Sequence, residues 1–429
     1  MTNSKEDKLK RNVQTDTLVN GLTIITEEIP YAASIAINVG VRCGSRHEPP
    51  GLEGIAHLIE HMLFKGTESI PDPSKISETI EINGGSLNAV TDYETTAYWC
   101  RTLAEKTQES IQLLLQLITE PLLRPADIEL ERQVIIEEIN SVSDYPNSRA
   151  EVMLDELMWP GTSLGRDIAG TIESVSKISH ESLVEFMQNK YSSNNLVISV
   201  AGKLNHDEII DFVQPLAESL NYGEANTFNN VNYVKNKSRF MGEERRVEQS
   251  HISIGFPGTS RCHELRHALD LLVAMLGEGM SSRLFQEIRE KRGLAYDIGA
   301  GTSHHTDTGT IDIYAAVDKK KYEKTIYLIS KEIQKIKTDT YIEELDKVKS
   351  LFTGRLKLNM EDTRSVANWN CNQMLNENRF QSTKNYLRDL ASVSLEDIRN
   401  VASEYFLEEN MNIAVVGPAE SCHDLWGIK

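Results

Sequence analysis

SHESLVEFMQNKYSSNNLVISVAG at 179–202 and SLEDIRNVASEYFLEENMNIAVVG at 394–417 set the frame for the whole chain. Each runs helix, aromatic residue, polar turn, apolar strand and closing glycine, and the two are offset by 215 residues. A second echo lies upstream, where Ile252-Ser253-Ile254-Gly255-Phe256 resembles Ile35-Ala36-Ile37-Asn38-Val39. A repeat this long is one domain used twice, not a solenoid of short units. Length agrees, because 429 residues exceed what one hydrophobic core organises, and two domains of roughly 200 residues are the default. The expected fold class is α+β, with two homologous mixed-sheet domains at 1–220 and 248–429. The polar stretch 221–247, rich in Asn, Lys and Glu, reads as a connector.

Within the first copy, strands are expected at 21–25 and 33–41. The pattern then changes to helical spacing over 51–64, with Leu52, Ile55, Ala56, Ile59, Met62 and Leu63 near one face. Pro71 and Pro73 precede a second helix, and Gly84-Gly85 ends it. Helices are also expected over 107–118, from Pro125 through Ile139, over 150–157 and over 181–190. A compact apolar strand follows at 196–200.

The first of these helices carries His57-Leu58-Ile59-Glu60-His61. Side chains four apart share a helix face, so both imidazoles point to one region and can ligate zinc through ring nitrogens. Glu60 lies beside that face and can reach a metal-bound water without being a ligand, an arrangement that inverts His-Glu-x-x-His. Glu138 is the best third ligand. Glu131 precedes it by two helical turns and can orient a ligand or water. Glu137 is the rival third ligand, turned about 100° away around the helix. In the second copy Leu272, Val273 and Leu276 occupy the comparable region, so only the first copy is expected to carry metal.

These residues resemble the pitrilysin-type zinc metallopeptidases, especially bacterial relatives of mitochondrial processing peptidase. The likeness runs through 51–67, Asn88-Ala89-Val90-Thr91 and 131–138. It implies zinc on His57, His61 and Glu138, Glu60 as general base and Glu131 as a supporting residue. It implies that Asn88 and Ala89 face the substrate, although Asn88 alone reads equally as a turn former after Gly84-Gly85. The stretch 279–285 is followed by Arg289 and Tyr296, seven residues apart. The resemblance implies that these two hold substrate carbonyls or stabilise the transition state. It further implies a clamshell homodimer in which the partner's second domain supplies them, or an active subunit working with a non-catalytic one. The expected function is zinc-dependent endopeptidase action on extended peptides or short unstructured segments. A peptide-binding or structural subunit is the alternative.

Composition narrows the remaining classes. Forty-five basic and 64 acidic residues give a net charge of −19, which disfavours nucleic acid and anionic membrane surfaces. No apolar run of about 18 residues suggests a membrane span, and the polar, mixed-charge amino terminus lacks the apolar core of a secretory signal. Cys43, Cys100, Cys262, Cys371 and Cys422 are odd in number and widely spaced. That usage points to free thiols and a cytoplasmic location.

Overall fold

A computed structural model describes residues 11–231, 233 and 239–418. In chain order, β1 Asn12–Thr17, β2 Thr23–Glu28 and β3 Ser34–Val41 lead into α1 Ile55–Leu63 and α2 Pro73–Glu81. The hairpin β4 Ser86–Thr91 and β5 Thr96–Leu103 is followed by α3 Thr107–Thr119, α4 Pro125–Asp144 and α5 Pro146–Met158. Then come α6 Ile172–Lys177, α7 His180–Lys190, β6 Leu196–Gly202 and α8 His206–Leu216. The second series begins with β7 Arg239–Glu244, β8 Gln249–Gly258 and α9 Arg266–Gly277. It continues through β9 Ala295–His304, β10 Gly309–Asp318, α10 Tyr322–Thr338 and α11 Ile342–Asn359. It ends with α12 Thr363–Glu377, α13 Thr383–Ser392, α14 Leu395–Tyr405 and β11 Asn412–Gly417.

Local chemistry sets several of these boundaries. Asp72 caps α2 through the Ser74 N–H, with Pro73 in the first turn. The repeated stretches open alike, since Ser179 caps α7 through the Ser182 N–H and Ser394 caps α14 through the Asp397 N–H. Asn88 lies inside β4 and not in a turn, because the chain reverses earlier, at Gly84 and Gly85.

Two mixed sheets result. The first has the order β1-β2-β6-β3-β5-β4 and the second β7-β11-β8-β10-β9. Apart from β1 the two match strand for strand. β2–β6 and β7–β11 are the parallel pairs, and all others are antiparallel. The register matches as well: Val39 faces Ile198 and Tyr98, while Ile254 faces Ile413 and Ile313, each 215 positions later. Each sheet buries an apolar face. Ile35, Ile37 and Val39 pack with Leu58, Met62 and Leu114 in one core, and Ile252, Ile254, Leu272 and Ile326 in the other. Leu272 and Leu276 are fully buried, so the second copy uses those positions for core.

The chain divides into two compact units, and neither is continuous. One contains the described residues up to Ile139, with Asp167–Asn229 and Leu356–Gln381; the other contains Asn140–Arg166, the described residues between Asn230 and Arg355, and those from Ser382 onward. These units depart from the continuous spans 1–220 and 248–429 because two helices are exchanged. α12 covers β3 and β6 in the first unit, where Cys371, Met374 and Leu375 pack on Ile25 and Val197. α5 covers β8 and β11 in the second. The stretch expected as a connector is partly structured. Asn226 and Phe228 anchor to the first unit, and β7 is a strand of the second sheet. Residues 232 and 234–238 of that stretch lie outside the described residues.

Candidate metal centre

The helix α1 starts against a buried carboxylate. Glu48 accepts from the Gly54 and Ala56 N–H groups, both at 3.0 Å, and so satisfies donors that a helix start leaves open. Gly54 itself has φ 93°, and a Cβ there would lie 2.4 Å from the Ala169 carbonyl oxygen, so only glycine fits. From this start Ile55, Leu58, Ile59 and Met62 enter the core, while His57, Glu60 and His61 stay half-buried on the other side.

α4 brings the carboxylates. One donor atom each from His57, His61 and Glu138 lies within 4.8 Å of the others. Glu138 Oε2 is 3.9 Å from His57 Nε2 and 3.8 Å from His61 Nε2. These separations are long for hydrogen bonds and match groups arranged around a shared cation. Glu137 does not join this group. Glu131 lies two turns earlier and is buried. Its Oε2 meets His61 Nδ1 at 3.0 Å and its Oε1 meets Lys65 Nζ at 2.6 Å. His61 therefore donates through Nδ1, which leaves its Nε2 lone pair turned toward Glu138.

The electrostatics suit a divalent metal. Burial, and then the neighbouring His61, push the His57 imidazole down to about 4, so it is neutral near pH 7. Its Nδ1 is buried with no hydrogen-bond partner among the described residues. Such an orphan costs about 1–3 kcal/mol, which is consistent with a ring placed for the atom on its other side. Burial raises the Glu60 carboxyl above the ordinary carboxylate range, against the hydrogen bond from Thr91 and the proximity of His61. The Thr91 hydroxyl donates to Glu60 Oε2 at 2.5 Å. Two imidazole nitrogens and one carboxylate oxygen form a donor set that fits zinc and leaves a coordination position open.

The other sequence-derived residues fall in two places. Asn88 and Ala89 lie on β4, the terminal strand of the first sheet, and Asn88 Oδ1 accepts from the Ala89 N–H at 2.8 Å. Arg289 and Tyr296 lie in the second unit, near each other. The Arg289 guanidinium carbon is 4.7 Å from the Phe285 ring centroid and 5.9 Å from that of Tyr296, which is 74% exposed. Sequence reading gave no role to Glu48, Lys65 or Thr91. Thr91 reaches Glu60 only through strand register. Lys65 is one helical turn beyond His61, and that spacing was its available signal.

The family model described as insulinase, peptidase family M16, matches residues 23–172, and the one described as peptidase M16 inactive domain matches 177–352. A protein of Rickettsia bellii named as an uncharacterized zinc protease is 31% identical over 411 residues, covering 96% of this chain and 98% of the relative. One from Bacillus subtilis is 30% identical, covering 94% and 98%. The crystal structure of a protease from Helicobacter pylori superposes with a TM-score of 0.89 at 22% identity, covering 95% of this chain and all of that one. The chain belongs to the M16 peptidase family, the insulinase and pitrilysin-like group.

Proposed function

We propose that the protein is a zinc-dependent endopeptidase acting on extended peptides or short unstructured protein segments. One observation carries this reading. His57, His61 and Glu138 converge while Glu60 stands beside them, held by Thr91 and outside the ligand group. Bound zinc would supply a water of lowered pKa and polarise the scissile carbonyl. His57 and His61 would hold it through Nε2 and Glu138 through Oε2. Glu60 takes the proton of the attacking water and delivers it to the leaving nitrogen as the C–N bond breaks. Glu131 fixes the His61 ring, and Lys65 balances the Glu131 charge. The open side of β4 offers backbone groups to an extended peptide, which aligns the peptide before chemistry.

Arg289 and Tyr296 complete the proposal. In a clamshell homodimer the partner subunit would present this pair to the bound peptide's carbonyls. The adjacency of the two side chains supports a joint role. A cytoplasmic setting is supported by Cys43, Cys100, Cys262 and Cys371, all free thiols; Cys422 lies outside the described residues. No helix among the described residues is long and apolar enough to cross a membrane.

The test is Glu60→Gln. The variant should retain zinc by elemental analysis and lose roughly 10²–10⁴ in turnover of a mixed peptide pool. Wild-type turnover in the variant would defeat Glu60 as the base, and an inactive wild type with full zinc occupancy would defeat the peptidase reading.

A further inference from the structure

As the terminal strand of its sheet, β4 pairs only with β5 among the described residues. Register determines which of its residues turn their backbone outward. The Asp92 N–H bonds the Thr95 carbonyl at 2.8 Å, so Asp92, Val90 and Asn88 exchange bonds with β5, and Thr91, Ala89 and Leu87 face the open edge. The Ala89 N–H agrees, since its acceptor is the Asn88 side chain and not β5. A peptide laid along this edge alternates its side chains between the two faces of the sheet. Residues opposite Ala89 and Thr91 share the face where Thr91 meets Glu60. Residues opposite Asn88 and Val90 point to the other face.

That other face holds a cavity of about 440 Å³, lined by Asn38, Asn88, Val90, Trp99, Arg364 and Asn368 among others. Asn38, Trp99 and Asn88 stand in one row across β3, β5 and β4. Asn38 is 2% exposed and donates to Asn368 Oδ1 at 3.2 Å, while its own Oδ1 has no partner among the described residues. That oxygen is itself out of reach of solvent, so recognition of a guest falls to the cavity's other lining residues. Arg364 lies over Trp99, its guanidinium carbon 3.5 Å from the ring centroid, and has no ion pair among the described residues. The neighbouring acid is committed elsewhere. Asp362 pairs with Arg101 at 3.1 Å and caps α12 through the Ser365 N–H at 2.9 Å. The charge left for a guest is positive.

We infer that this cavity is a specificity subsite for an acidic side chain of the bound peptide, read by Arg364 at the positions opposite Asn88 and Val90. The inference rests on the edge-strand binding proposed above. Strand spacing of about 4.8 Å puts a guest strand roughly 10 Å from β5, a gap that a glutamate and an arginine side chain span together. The net charge of −19 opposes acidic peptides at long range, but that field is largely screened in ~0.15 M salt, whereas a guanidinium contact well inside the ~8 Å Debye length is screened less. The preference therefore holds at physiological ionic strength.

The test uses full-length protein with zinc and matched labelled peptides carrying Glu, Gln or Lys at each position in turn. Binding is read by fluorescence anisotropy on Glu60→Gln protein, and hydrolysis on wild type. Glu should be favoured over Lys by roughly tenfold at alternate positions only. Arg364→Glu should reverse the preference, and Arg364→Lys should keep part of it. An unchanged preference in Arg364→Glu, or a charge effect equal at every position, overturns the subsite. If Arg364→Glu fails to fold by circular dichroism, Arg364→Gln must abolish the preference instead. Binding with the alternating preference but without wild-type hydrolysis would sink the peptidase reading and leave the subsite standing.

Discussion

Glu131 divides its two oxygens between His61 and Lys65, which ties an imidazole's orientation to a lysine's charge. Replacing Lys65 with Met leaves a carboxylate that is largely buried without its cation. The partner that bears directly on a ligand is Glu131, and in Glu131→Gln zinc affinity, measured by competition with a chelator, should fall roughly 10–100-fold, as expected when a ligand's supporting partner is lost. A second buried acid supplies a pH effect remote from the metal. Burial alone would raise the Asp270 carboxyl, but the hydrogen bonds of His304 and Thr302, both at 2.8 Å, and the charge of His304 outweigh it and hold the carboxyl low. A depressed folded-state value stabilises the protein above the unfolded value of about 3.9 and is lost as pH falls through the folded value. Thermal melts should therefore show stability dropping through this acid range, and Asp270→Asn should flatten that part of the drop. The cluster of His57, His61 and Glu138 was legible because two histidines and a glutamate at helical spacing admit few other uses. The 100° turn between Glu137 and Glu138 also anticipated which of the two carboxylates joins that cluster. Thr91 and Lys65 were not, because a threonine in a strand and a lysine after a helix are common without any such role.

α1 and α9 are the same helix put to two uses: one has polar side chains at His57 and His61, the other has leucines sealed in a core. The packing of α12 is as specific. A Cβ added at Gly40 would lie 2.3 Å from Leu375 Cδ1 and 2.8 Å from Cys371 Sγ, so strand and helix meet with no spare volume. Gly40→Ala should cost about 1–3 kcal/mol in urea unfolding, and adding Leu375→Ala should restore part of it. Equal stability of Gly40→Ala and wild type would mean that the helix is not seated this closely. Amphipathic spacing announced helices near 150–157 but not which sheet they would cover. Periodicity identifies the apolar face of a helix and is silent on its partner, which is why the exchange of α5 and α12 escaped the sequence.

The 215-residue offset visible in 179–202 and 394–417 runs on through three strands of each sheet, so the duplicated architecture was the most legible property of the chain. Assembly was less so, since nothing in composition or pattern distinguishes a residue serving its own subunit from one serving a neighbour. The proposed homodimer has a direct check. Glu60→Gln and Arg289→Ala subunits should each be inactive as pure species, and mixing them after subunit exchange should recover up to about a quarter of wild-type activity if catalysis uses groups in trans, as random pairing gives. No recovery from a proven mixed dimer would place both groups in one subunit. The exchanged helices also constrain biosynthesis. Gly202 closes the last strand of the first sheet, but its covering helix begins only at Thr363. At translation rates of ~5–20 residues per second the ribosome takes roughly ten to thirty seconds to deliver that cover. Until then the face around Ile25 and Val197 is bare, although every residue of the metal centre has already been made, so the growing chain carries its chemistry before it can seal the sheet behind it.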